Sequence, residues 1–386
     1  MATLQNSVLP VHQPLRKQVV GIDALRLTAA VLVMGSHLVV SSWLRSRNGG
    51  VMPTTSFMPL RPLFCYGWIG VEIFFVISGF VIAYSAQGVS AARFAKQRFF
   101  RLWPMCVMCA LVAAGAALWM HAMPQRFVWR DVLETIAFVP GTHSTEYIDD
   151  PFWTLPVEAA FYLLVFLLIA SRRLHLLPRV MAVAGAISCG YWALVTADPY
   201  WSGRAWLVVH KSLQHLSFYP STLLLHGCFF ATGVLLWDAM LRPGVRPAKS
   251  LHIAALVVTI AGCVMEIWYH STIAAPYLEM TFPQWGAVAI WLTTVVMIWA
   301  SVRHNAGLQH RIGMRGVNLL RAMGLVTYPL YLLHNRLGYS ITMKLHAALG
   351  WYGAFAVAVS VVVLAAVVLA LKIDPAIQGM LKRRMG

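Results

Sequence analysis

Apolar runs of about twenty residues, each closed by polar or charged residues, recur about ten times along this chain, and that pattern leaves few folds open. Inside hydrocarbon every main-chain N–H and C=O must find a partner within the protein, so a run of this length crosses as a helix. The runs fall at about 22–44, 64–86, 102–122, 152–171, 179–196, 221–240, 251–270, 284–302, 324–343 and 351–371. The sequence therefore predicts an all-α, polytopic membrane helix bundle of about ten transmembrane helices. A tail over 1–21 precedes a membrane domain over 22–372, and a second tail covers 373–386. Composition agrees, because only 11% of residues are charged and 59% are hydrophobic, whereas a soluble domain carries roughly one quarter charged residues. No small-residue cleavage site follows the first run, so it reads as a retained helix rather than a signal peptide.

A net charge of +17 invites a nucleic-acid reading, but the basic residues sit in short segments on alternate sides of successive runs and no nucleic-acid motif accompanies them. With the N-terminus cytoplasmic, twenty of the 30 Lys and Arg residues fall on the cytoplasmic side and eight outside. That asymmetry predicts both termini inside. Aromatics such as Tyr200, Trp201, Trp206, Phe218 and Tyr219 then crowd the external loops, as an interfacial belt or as a platform for sugar rings. Acidic residues such as Glu146, Asp198 and Glu279 fall there too. The 6 cysteines all lie in or beside apolar runs. Cys106 and Cys109 form an isolated C-x-x-C within a predicted helix, which reads as packing, and no metal site is expected.

Ionisable residues inside the runs carry the functional information, since each costs several kcal/mol to place in lipid. Arg26 and His37 share the first run, about 20° apart around a helix and about 16 Å apart along it. The second run brings Glu72 in G-V-E-I-F-F-V-I-S-G-F, the fourth Glu158 in F-W-T-L-P-V-E-A-A-F-Y, and the ninth His334 and Arg336 in T-Y-P-L-Y-L-L-H-N-R. Four helices thus deliver two carboxylates and two imidazoles to the middle or outer half of one bundle, where mutual pairing would lower their cost. A second cluster, R-F-A-K-Q-R-F-F-R-L-W-P, puts Arg98 and Arg101 on one helix face near Arg26. Converging guanidiniums suit a phosphorylated ligand, or contact with anionic membrane lipids.

Together these segments resemble the acyltransferase-3 family, bacterial membrane enzymes that mostly O-acetylate surface or secreted glycans from acetyl-CoA. G-I-D-A-L-R-L-T-A-A-V-L-V-M-G-S-H is similar to that family's first-helix signature, and R-F-F-R-L-W-P to its Arg-x-x-Arg segment. Glu72 stands where Asp is commoner and Trp103 where Tyr is frequent. The resemblance implies an O-acyltransferase of the bacterial inner membrane, with acyl-CoA as donor and a carbohydrate or lipid-linked glycan as acceptor.

Transfer from a thioester to an alcohol needs a base for the hydroxyl proton and donors for the developing oxyanion. His37 is the expected base, oriented by Glu158 or Glu72, with His334 or Arg336 at the oxyanion. Arg26, Arg98 and Arg101 would hold the CoA phosphates. Direct transfer and a route through acyl-His37 are both open. The alternative class is a transporter using the same His and Glu residues as a proton relay.

The charge asymmetry generates a test of topology. A cysteine introduced at Ser144 should react with an impermeant maleimide in spheroplasts, while one at Ser250 stays unlabelled; the reverse pattern would invert every depth assigned above.

Overall fold

The computed structural model describes residues 18–41, 57–139, 147–197, 222–242, 249–277 and 282–385. The aromatics from Tyr200 to Tyr219, the acidic residues Glu146, Asp198 and Glu279, and Ser144 lie outside the described residues. Among those described, the chain forms helices and no strand.

The helices are α1 (Val20–Gly35), α2 (Arg61–Phe64), α3 (Gly70–Ser85), α4 (Ala91–Trp119), α5 (Gln125–Ile136) and α6 (Thr154–Ala170). They continue as α7 (Leu177–Ala197), α8 (Leu223–Leu241), α9 (Lys249–Tyr277), α10 (Gln284–Arg303), α11 (Asn305–Val368) and α12 (Asp374–Met385). Nine stretches among the described residues are long and apolar enough to cross a membrane. The last of these holds two of the runs read from the sequence. Gly313 (φ 65°, ψ 175°) and Gly350 (φ 67°, ψ 170°) break α11 into three pieces, and the apolar runs over 324–343 and 351–371 lie on either side of Gly350. Both glycines adopt left-handed backbone that a Cβ would disfavour. The ten runs are thus all helical, and the protein is a multi-pass membrane bundle.

Packing follows from the apolar faces. α1 lies against α11, α3 and α10, while α8 is gripped between α3 and α7. The outward-facing side chains are apolar, including Leu163, Val183, Val296 and Leu364, as a surface exposed to lipid rather than water requires. The α3–α8 contact is close because of two glycines. A Cβ on Gly79 would run into the Phe230 carbonyl, and one on Gly233 into the Val76 carbonyl. Small residues that let backbones touch are the usual means of joining helices in lipid, where no hydrophobic drive acts between them.

Two segments outside the ten apolar runs are helical. The basic stretch from Arg93 lies on the first turns of α4, capped by the Ser90 side chain, which accepts from the Arg93 amide. α5 occupies part of a predicted external loop and buries Val128, Val132 and Thr135 against the bundle. Its 12 residues are too few to span and too polar to register as an apolar run.

The glycine seam can be tested directly. Gly233→Val should lower the thermal midpoint of the detergent-purified protein by an amount matching about 1–3 kcal/mol of overpacking. Gly190→Ala, where a Cβ meets nothing within 4 Å, should leave the midpoint unchanged or slightly raised.

Candidate active site

α1 does not end as an α-helix. Its last turn, Ser36–Val40, is a π-turn that holds His37, and such wide turns recur at functional sites because they re-aim one side chain. There His37 Nδ1 lies 2.6 Å from His334 Nε2 of α11, a contact between residues 297 positions apart. The two rings are within 10° of parallel with centroids 4.9 Å apart. With the nitrogens so close and the centroids so far, the rings lie edge to edge in one plane and are hydrogen-bonded rather than face-stacked. His334 is fully buried and His37 half-buried.

The remaining bond of His334 assigns the protons. Its Nδ1 lies 3.2 Å from the Leu330 carbonyl one turn earlier, and a carbonyl can only accept. Nδ1 therefore carries the hydrogen and Nε2 a lone pair, so His37 Nδ1–H must be the donor between the rings. The consequence is a lone pair on His37 Nε2, the nitrogen free to take a proton. His334 is left with no N–H to offer an oxyanion, so the expected oxyanion contact from this residue does not fit its hydrogen bonding.

Neither carboxylate expected to orient His37 is its partner. Glu158 instead faces a cavity, where its Oε1 accepts from Tyr162 Oη at 2.5 Å and from Ser78 Oγ at 3.1 Å. Glu72 is buried in the first turn of α3, and its Oε2 has no hydrogen-bond partner among the described residues. Depth along a helix follows from residue count, but the side of the helix on which a group emerges relative to its neighbours does not. The two imidazoles thus bond to each other, while Glu158 bonds to Ser78 and Tyr162.

The cavity, of about 750 Å³, contains all three arginines expected to meet phosphate: Arg26, Arg98 and Arg101. A fourth, Arg321 of α11, lines it as well. Arg98 is held in place by Ser85 Oγ at 2.6 Å and lies over the Phe94 and Tyr162 rings at 5.2 and 5.6 Å. Arg101 lies over the Tyr328 ring at 6.0 Å, and Tyr328 Oη donates to the Leu102 carbonyl. Arg26 pairs loosely with Asp23 at 3.8 Å. Planar stacking of this kind presents guanidiniums without ordering cost at the moment of binding. From this basic end the cavity runs past Glu158 to Phe74, Thr154 and Tyr331. Tyr331 precedes His334 by one helical turn, and their ring centroids are 5.9 Å apart. His37 is not among the residues lining the cavity. The count of 100° per residue that aligned it with Arg26 holds only for α-helix, and a π-turn begins beside His37.

This geometry, a cationic cavity leading to within one turn of a polarised imidazole, coincides with a sequence match. A family model described as an acyltransferase domain matches residues 19–371. The chain belongs to the acyltransferase-3 family. Among the similar proteins, an acyltransferase of Streptomyces mycarofaciens, MdmB, is 25% identical over 81% of this chain and 77% of its own length. The peptidoglycan O-acetyltransferase OatA of Listeria monocytogenes is 25% identical over 83% of this chain and 49% of its own. BcsY of Komagataeibacter xylinus, named as a candidate membrane-bound transacylase, is 26% identical over 69% of this chain. The chain covers 65% of BcsY and about half of OatA. No solved structure matches.

Sequence reasoning missed further polar groups of this chain. Arg321 sits in a segment counted as topogenic charge. His226 of α8 and Glu266 of α9 are both buried and joined at 2.6 Å, and the rule that flagged His37 applied equally to them. Asp149, just outside the run that begins at 152, is 2% exposed.

Proposed function

We propose that this acyltransferase moves an acyl group, acetyl in the simplest case, from acyl-CoA to a hydroxyl of a carbohydrate acceptor such as a surface polysaccharide or a lipid-linked glycan. The observation that carries the reading is the proton arrangement of the imidazole pair, which leaves a lone pair on His37 Nε2 while its partner His334 stands one helical turn beyond Tyr331 of a cavity lined by four arginines. The name of the relative OatA, a peptidoglycan O-acetyltransferase, supports a glycan acceptor.

In this reading Arg26, Arg98, Arg101 and Arg321 bind the CoA phosphates, and the pantetheine arm runs past Glu158 towards Tyr331. Glu158 offsets the arginines and accepts from Ser78 and Tyr162, so it lines the donor path rather than orienting the base. His37 Nε2 takes the proton from the acceptor hydroxyl as the oxygen attacks the thioester carbon. The C–S bond breaks, and the imidazolium returns the proton to the leaving sulfur, giving an ester and CoA. In a two-step route the same Nε2 would attack the thioester first, so it is the reacting atom either way. His334 orients His37 and supports the positive charge that forms on it, the part a carboxylate takes in hydrolase triads. Arg336 stays a candidate oxyanion donor, and Glu72 a helix-joining residue. The catalytic unit spans 22–372, with tails 1–21 and 373–386 on the cytoplasmic face of a bacterial inner membrane, and the basic end of the cavity opens on that face.

Two measurements test this. His37→Ala should cut product formation by roughly 10² to 10⁴, the range for a lost general base, with CoA affinity kept. Retained turnover, or loss of CoA binding together with folding, would falsify the assignment; a transporter would release no CoA from acetyl-CoA with or without a glycan acceptor.

Arg98→Ala and Arg101→Ala should chiefly raise the KM for acyl-CoA, since a phosphate contact acts equally in ground and transition states. Unchanged CoA affinity in both variants would reduce the cluster to a topological signal.

A further inference from the structure

His37 is aimed by His334, which makes the hold on α11 at His334 decisive. Within its own helix the His334 ring is held through the Leu330 carbonyl one turn back. The next two residues are held from outside. Asp149, which precedes the turn Asp150–Trp153, receives Asn335 Nδ2 at 2.7 Å on Oδ1 and the Arg336 main-chain N–H at 2.8 Å on Oδ2. Oδ1 also takes the Asp150 amide at 2.9 Å. Both carboxylate oxygens are thus engaged.

The bond to Arg336 is unusual. An amide in the interior of a helix ordinarily serves the carbonyl one turn back, so a carboxylate from outside the helix gives this turn an anchor beyond its own ladder. The anchor lies two residues after His334, whose partner His37 stands in the π-turn of α1. Asp149 is itself anchored. The Ile148 amide before it donates to Thr135 Oγ1 of α5 at 3.0 Å, and α5 packs on α4. Holding a carboxylate there is costly. Burial pushes the Asp149 carboxyl up to about 6, while the Arg336 charge and the two bonds from α11 pull it down. A group kept at such a cost, with both oxygens held by one helical turn, is better explained by alignment than by stability.

We propose that Asp149 is a positioning residue for acyl transfer: by holding Asn335 and the Arg336 amide, it sets the rotation of the α11 turn that carries His334, and through His334 the aim of His37 Nε2. The inference rests on His37 as the reacting imidazole. Asp149 touches neither donor nor acceptor, so its loss should act on turnover and leave donor binding alone.

The test removes the clamp and then restores it. In Asp149→Ala both bonds to α11 are lost, whereas in Asp149→Asn the side-chain oxygen can take the Arg336 amide while its NH₂ donates to an Asn335 amide turned over to present its oxygen, which keeps both. In full-length protein in detergent, Asp149→Ala should lower kcat roughly 10- to 100-fold, the scale of a small misplacement of reacting groups, with KM for acetyl-CoA within about twofold of wild type. Asp149→Asn should recover most of that loss. Asn335→Ala, which removes one bond and keeps the carboxylate, should give a smaller loss and decides the matter if Asp149→Ala does not fold. Wild-type kcat in Asp149→Ala, or an Asp149→Asn no more active than Asp149→Ala, would overturn the inference. His37→Ala in the same assay separates the two levels. An active His37→Ala removes the underlying reading, whereas an inactive one beside a fully active Asp149→Ala removes only this proposal.

Discussion

The structure turns on one hydrogen bond, between His37 Nδ1 and His334 Nε2. It joins the first membrane helix to one near the other end of the chain. α1 widens into a π-turn at Ser36–Val40 beside it, and Asp149 holds α11 at the Arg336 amide two residues beyond it. Hydrocarbon tolerates buried polar groups only where protein supplies their partners. Here each imidazole is partner to the other, and the Leu330 carbonyl takes the remaining His334 hydrogen. The same two bonds fix which nitrogen carries each proton.

Around that pair the polar groups are separated by task. The arginines gather at one end of the cavity, stacked on Phe94, Tyr162 and Tyr328, where attraction for phosphate needs charge and planar geometry. Glu158 lies further along, tied to Ser78 and Tyr162. The imidazoles lie beyond Tyr331, outside the cavity lining. A donor entering from the basic end would lose its hydration gradually and meet the imidazole layer last, where a low dielectric strengthens each remaining interaction. The His226–Glu266 pair is distinct again: two buried partners hydrogen-bonded to one another between α8 and α9, beside the Phe75 and Trp153 rings.

Much of this could be read from residue order, and the failures have one cause. Counting along a helix gives depth, and depth placed Arg26 near the cavity's basic end and His37 and His334 at a common level. Rotation about the helix axis was less accessible. The expectation that Glu158 or Glu72 orients His37 assumed helices of uniform pitch and known facing. The π-turn beside His37 breaks the first assumption, and packing through Gly79 and Gly233 decides the second for α3. Asp149 was passed over because it lies in a loop by hydropathy, although it is buried as core side chains are. Arg321 was passed over because a lysine or arginine beside a membrane run has a sufficient explanation in topology.

The sequence by itself determined the class of fold, the apolar runs that cross the membrane and the family. Those depend on the free energy of moving about twenty residues into lipid, a property of each segment alone and legible without its neighbours. It also determined the inventory of costly intramembrane charges. Tertiary structure decided who pairs with whom. The partner of His37, the tautomer of His334 and the clamp from Asp149 each depend on how helices distant in the chain rotate against one another. That rotation is set by close packing summed over whole interfaces, and no local run of residues encodes it.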